Sequence, residues 1–287
     1  MLRYLIPLFL LPLCSLLAKS SVWKVSKGGE SLYIGGTCHL LRSSDYPLPP
    51  EFELAYGQAD TLVFEMDPAV INDPDFAFRL LKASSYTDER SLKTILSETT
   101  YEKLVEKCEQ NGFPIEMFNK TKPGMVMMML MTKELAKFGV TEKGVDVYYH
   151  TRGLKDRKKI LAFETAEFQI ELLTSLGEGI ENTIVVHSLQ DIENLKNNFD
   201  RLIKAWREGD MAEIYEHFVA DLHEYPQLQA KLLVNRNKLW MKSLDNFINT
   251  PETEFILVGV AHMVGHEGLI SLLQQKGYTI EQISVPF

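Results

Sequence analysis

Cysteine is scarce. Of the three in 287 residues, Cys14 lies in the apolar start of the chain, leaving Cys38 and Cys108, too few for a disulfide-stapled scaffold. A chain of this length buries a core without staples, so both read as free, buried thiols. The sharper alternative is a thiolate nucleophile at Cys38, beside His39. Excess positive charge is missing as well. Lys and Arg number 30 against 39 Asp and Glu, a formal net charge of -9. That balance argues against a nucleic-acid groove and gives no reason to seek anionic lipid. No Gly-x-Ser-x-Gly elbow and no phosphate loop occurs, which weakens serine-hydrolase and nucleotide readings. No repeat or low-complexity linker divides the chain, and beyond its first residues no run is apolar enough to span a membrane.

Those first residues are a different material. Arg3 is followed by a Leu-rich stretch over 4–17 and then by Ala18-Lys19-Ser20. A basic start, a short apolar run and small residues describe a signal peptide over 1–20, cleaved before Ser21, with a domain over 21–287. The expectation is export, to a periplasm or the medium. The run carries Pro7 and Pro12 and is shorter than the roughly 20 residues a spanning helix needs. An uncleaved anchor over 4–17 is the alternative, and membrane contact is expected through that segment alone. Leu13 stands where a lipidated cysteine needs a small neighbour.

The remainder, in a chain 45% apolar and 24% charged, reads as globular. Val22 to Ser26 alternates, stops at Gly28-Gly29 and resumes at Leu32-Tyr33-Ile34, the pattern of a β-hairpin. Leu62 to Phe64 and Phe255 to Val258 are short buried strands, and Ile160 to Ala162 is another candidate. Helical spacing covers Glu51–Gln58, Phe76–Ala83, Leu92–Cys108, Pro123–Lys137, Ala166–Leu176, Ile192–Arg207, Met211–Ala220 and Leu228–Ile248, with a further apolar-periodic segment at Leu269–Leu273. The methionine-rich stretch 124–131 reads as a packed helix face rather than a peptide- or metal-gripping box. The fold class is therefore α/β: one domain whose N- and C-terminal strands share a mixed sheet, with a largely helical middle as a cap.

Chemistry gathers where strands end. Gly36-x-x-His39 and Gly259-x-x-His262 each close an apolar strand with an imidazole, and Thr61 to Phe64 emerges on Glu65. Crests of this kind are where α/β proteins place ligands. Two histidines and one carboxylate are suitable ligands for catalytic zinc, or for manganese, cobalt or iron, with positions left for water. Such an ion lowers the pKa of water from 15.7 to about 7, worth roughly 12 kcal/mol. Glu65 is alternatively the general base. A lone strand-end histidine is usually structural; the pairing of two such motifs raises the metal reading. His262-x-x-x-His266 looks like half of a zinc helix, but Gly265 breaks it. His266 reads as a surface residue, and His150, His187, His217 and His223 as bystanders.

The order and spacing of these pieces resemble the TraB/GumN family, which is related to the Tiki metalloproteases. The matching pieces are Gly36 to Leu40, Val63 to Asp67, Lys122-Pro123, Gly144 to Asp146, Phe163 to Thr165 with Gln169, Trp206 with Gly209-Asp210, Arg236-Asn237 with Trp240, Val258 to Gly265, Gly268-Leu269 and Gly277-Tyr278. The resemblance implies a fold like that of erythromycin esterase and the haem-binding ChaN proteins, with His39, Glu65 and His262 as the active centre. Arg236 then either steadies an oxyanion or forms a structural salt bridge to an acid such as Glu164. Asp146 and Glu164 are expected to fix helix ends and the cap. Gly124 and His266 depart from the usual tryptophan and proline. The first expectation is an exported metal-dependent peptidase acting on a peptide or protein. The alternatives are a protein that sequesters a short pheromone-like peptide, or a haem or iron carrier.

Overall fold

Gly28 and Gly29 both take positive φ, 62° and 99°, as a two-residue hairpin turn between right-twisted strands requires. They join β1 (Ala18–Lys27) to β2 (Glu30–Thr37) in antiparallel register. The remaining strands of this computed structural model, which describes residues 18–285, are β3 (Leu41–Arg42), β4 (Thr61–Phe64), β5 (Val140–Thr141), β6 (Lys159–Ala162), β7 (Glu254–Gly259) and β8 (Thr279–Val285). Six of them form one sheet in the order β6-β4-β7-β2-β1-β8, while β3 and β5 pair separately. β2, β4, β6 and β7 are parallel, and β1 runs against both β2 and β8. The two ends of the domain thus lie side by side in one mixed sheet, with a mostly helical middle. The expected leader falls on residues 1–17, outside the described residues, apart from Ala18 to Ser20, which open β1. Among the described residues no helix is long and apolar enough to cross a membrane.

The central parallel strands β2, β4 and β7 are buried on both faces over most of their length, so they read as near-continuous apolar runs, whereas β6 at the sheet edge is half exposed. Leu62, Val63 and Phe255 to Val258 are fully enclosed, with Phe52, Tyr149 and Trp206 packed against them. Trp206 also donates its indole N–H to the Gly36 carbonyl at 2.6 Å, tying a helix to β2. A smaller apolar cluster holds the helical cap together through Leu92, Leu104, Cys108, Val126, Met127 and Leu130. Met125 and Met127 are buried, so this stretch packs.

Three helical readings need correction. The helix read over 92–108 is two, Leu92–Ile95 and Glu98–Gln110, because the Ser97 hydroxyl caps a new start by accepting from the Thr100 N–H. The segment read as one helix from 192 to 207 is the end of Glu181–Glu193 followed by Leu195–Glu208. The long C-terminal helix is built as Pro226–Gln229, a π turn over Ala230–Val234, and Asn235–Phe247. A further helix, Val145–Lys155, carries little apolar periodicity. It begins where the Val145 N–H donates to the Cys38 carbonyl at 3.0 Å.

Gly144, just before that helix, lies so close to β2's exit that a Cβ would overlap the carbonyl oxygens of His39 and Cys38. Backbone cannot give way as a flexible side chain does. Gly144→Ala should therefore destabilise the chain by about 1–3 kcal/mol. Urea denaturation checks this, and an unchanged midpoint would show that the loop yields freely.

Candidate active site

Four parallel strands end on one rim. In sheet order β6 leads to Glu164, β4 to Glu65, β7 to His262 and β2 to His39. Past β7 the chain turns through a short 3-10 crest, Val260–Met263, which carries His262. The centre of the rim is open because residue 259 is glycine. A Cβ there would lie 3.2 Å from Glu65 Oε1, 3.6 Å from His39 Nε2 and 3.8 Å from His262 Cδ2. Residues 39, 65 and 262 therefore border one hollow.

Each imidazole is held from behind. His39 Nδ1 lies 2.8 Å from Asp146 Oδ2, and Asp146 is steadied in turn by the Thr37 hydroxyl at 3.0 Å. His262 Nδ1 lies 2.6 Å from Asn237 Oδ1. Its ring packs at 4.5 Å from that of Trp240. Glu65 Oε1 accepts the Gly259 N–H at 2.7 Å and lies 3.8 Å from His262 Nε2.

Arg236, on the helix Asn235–Phe247, reaches the rim from above and is only 6% exposed. Its Nε and Nη2 donate to the two oxygens of Glu164 at 2.7 and 2.9 Å, and Nη2 also donates to Glu65 Oε2. Nη1 donates to the Leu232 carbonyl at 3.0 Å and lies 3.1 Å from His262 Nε2. A guanidinium has five N–H donors, and each has an acceptor here. The ion pair with Glu164 is thus present, with Glu65 as a second carboxylate, and no donor is spare for an oxyanion. Glu164 further accepts from Gln169 at 2.6 Å and Trp240 at 3.1 Å.

The electrostatics follow from these contacts. Burial alone would raise the Glu65 carboxyl, but His262, Arg236, His39 and the Gly259 N–H outweigh it and hold it at about 2. Burial lowers His262 to about 4, with Arg236 adding to the effect and Glu65 opposing it. His262 is then neutral at pH 7, so Arg236 is the lasting counter-charge to Glu65. The Asp146 carboxylate raises His39 to about 9 against the effect of burial. Burial, ahead of Asp146 and Asp45, pushes the Cys38 thiol far up, and Cys108 rises to about 11 for lack of solvent. Both thiols are free and buried. The thiolate reading of Cys38 is therefore set aside.

The other histidines stand apart from this rim. Buried His150 pairs with Asp67 Oδ1 at 3.1 Å, His187 with Tyr225 and His223 with Tyr215, while His217 faces Arg201 and exposed His266 lies near Gln275. Asp146 and Asn237 were not legible as partners of the histidines. They lie 107 and 25 residues from them, and only the closed fold supplies the contact. A cavity of about 320 Å³, lined in part by Tyr215, His223, Val234, Ala261 and Glu267, reaches Asn237 but neither His39 nor Glu65.

Among the described residues no three His, Cys, Asp or Glu side chains close into a ready metal cage. The donor set nonetheless suits a divalent ion: two imidazoles fixed through Nδ1 and a carboxylate bound one hollow that a Cβ would fill. Charge suits it as well, since Glu65, Glu164 and Asp146 exceed the single guanidinium. An ion held by these residues would share the Glu65 carboxylate with Arg236 and displace Arg236 Nη1 from His262 Nε2.

A mixed α/β sheet with two histidines and a glutamate at one rim defines a class of strand-edge sites suited to hydrolysis or ligand binding. The chain belongs to the TraB/PrgY/gumN family, whose model matches residues 21–282. It is also similar to the metalloprotease TIKI2 of Danio rerio, at 22% identity over 304 residues, covering 87% of this chain and 58% of that protein. The chain thus spans under two thirds of its relative's length. No solved structure matches it.

Removing Arg236 would strand two buried carboxylates. Arg236→Leu should cost about 3–5 kcal/mol in a denaturant titration at neutral pH, and a loss below 1 kcal/mol would mean that solvent reaches the pair. The same groups set a pH dependence for the metal-free chain. His262, held near 4 when folded and near 6.5 when unfolded, takes up a proton on unfolding. Stability should therefore fall as pH drops from 6.5 to 4, and Glu65 extends the loss from 4.5 towards 2. His39 acts oppositely, its contribution fading as pH rises from 6.5 to 9; its side chain is 60% exposed, so screening makes that arm shallow. Thermal unfolding across this range reads the result. A stability that climbs between pH 6.5 and 4 would refute a neutral His262.

Proposed function

We propose that the chain is an exported metal-dependent hydrolase that cuts peptide bonds. The observation that carries this reading is the convergence of His39, Glu65 and His262 around the hollow at Gly259. His39 and His262, through Nε2, and Glu65 are the residues that would hold zinc, manganese, cobalt or iron. Such an ion supplies Lewis acidity towards a carbonyl and makes water acidic enough to react near neutral pH.

The chain's own residues have separable tasks. Asp146 and Asn237 orient the imidazoles by their Nδ1 atoms, so that neither ring turns away from the hollow. Glu65 stays ionised, with Oε1 held by the Gly259 N–H on the side that faces His262 Nε2. Arg236 is a positioning residue in this scheme: it keeps the Glu65 carboxylate charged and in place. Enclosure of His262 and Glu65 strengthens every charge interaction at the rim. Export is supported by the leader-like sequence over 1–20, and peptide chemistry by the similarity to a protein named as a metalloprotease.

One observation favours a second reading. Arg236 already neutralises Glu65 and satisfies His262 Nε2, so the rim is stable without an ion, as a peptide-sequestering protein would need. Elemental analysis separates the two. The hydrolase should retain about one divalent ion per chain, lost in His39→Ala and His262→Ala. Digestion of a peptide library should fall at least about 100-fold in Glu65→Gln. Cleavage that survives that substitution would exclude this mechanism.

A further inference from the structure

We propose that Asn237 is a positioning residue that fixes His262 as its Nδ1–H tautomer, so that the Nε2 lone pair faces Arg236 Nη1 at the rim. Asn237 is buried, at 1% exposure. Which end of its amide faces the histidine follows from its other contacts. Nδ2 lies 3.3 Å from the His262 carbonyl and 2.8 Å from the Glu267 carbonyl, and only a donor belongs there. Oδ1 is therefore the atom 2.6 Å from His262 Nδ1. An amide oxygen only accepts, so the proton sits on Nδ1.

A second contact, on the opposite side of the ring, gives the same answer. Arg236 Nη1 lies 3.1 Å from His262 Nε2. A guanidinium only donates, so Nε2 must carry the lone pair. Rotating the ring by half a turn would put carbon against both partners, and the Trp240 ring 4.5 Å away limits other orientations. Asn237 thus does two things with one amide. Its nitrogen pins the crest that carries His262, and its oxygen sets which ring nitrogen is free. His39 receives the same service from a carboxylate, Asp146, rather than an amide.

The tautomer stands on hydrogen bonding alone; its consequence for metal binding rests on the reading of His262 as a ligand. Long-range nitrogen–proton NMR on the full, metal-free chain should show His262 protonated at Nδ1, with a slowly exchanging imidazole N–H. Asn237→Leu should lose that protected proton and weaken zinc binding roughly 10–100-fold. Asn237→Asp, which keeps an acceptor, should retain it. A wild-type spectrum with the proton on Nε2 overturns the proposal, even if the leucine variant fails to fold. So does a leucine variant whose N–H protection and zinc affinity are unchanged. If the tautomer is as stated but wild-type chain binds no zinc, the metal reading fails and the role of Asn237 survives.

Discussion

A guanidinium enclosed between two carboxylates is the contact on which the rim depends. Arg236 joins a helix near the end of the chain to the exits of two neighbouring parallel strands, through Glu65 and Glu164, and touches a third through His262. Taking these charges out of water costs several kcal/mol per ion before any attraction is counted. That cost is tolerated because every donor on the guanidinium has a partner and the strands leading to Glu65 and His262 are buried apolar runs. The pair is therefore better understood as a device for placing Glu65 than as a source of stability.

Placement also needs empty space, and glycine supplies it at two points. A Cβ at Gly36 would come within 2.8 Å of Val260 Cγ2, forcing β2 away from the crest that bears His262. A Cβ at Gly259 would enter the hollow itself. The glycines of the two Gly-x-x-His motifs are thus not flexible hinges. Both lie within strands, where the chain needs a missing side chain more than a special dihedral.

This explains what could be read from the sequence. A short apolar run ended by glycine and a polar residue is a local signal, so the strands before His39, Glu65 and His262 were legible, as was the hairpin at Gly28-Gly29. That the runs share one rim followed from both ends of the chain lying in one sheet. Partners contributed by the helical middle left no local trace. Asp146 sits in Val145–Lys155, a helix rich in β-branched and aromatic residues whose apolar spacing is weak. Helix ends at Ser97 and Asn194 were missed because apolar periodicity runs straight through them, and a single capping hydroxyl decided the first. Arg236 and Glu164 were legible as a pair only through family likeness, which left the guanidinium's role open; the full set of acceptors around it settles where its donors go.

The two histidines, identical in motif, are not equivalent in physics. His39 stands at the open side of the rim with a carboxylate behind it, which favours the charged ring. His262 is enclosed beside a permanent cation with a neutral amide rather than a carboxylate behind it, and burial and the cation together outweigh Glu65 to favour the neutral ring. Any chemistry at the hollow must respect that difference. A proton is easily kept at His39 and costly at His262, whereas His262 carries a lone pair on Nε2, faced by Arg236 Nη1, and His39 carries one only after it gives up its proton. An incoming cation would thus have to displace Arg236 from one nitrogen and a proton from the other, with Glu65 already ionised. The asymmetry comes from Asp146 and Asn237, two side chains on different helices. The character of the site is set less by its paired motifs than by what the helical layer places behind each ring.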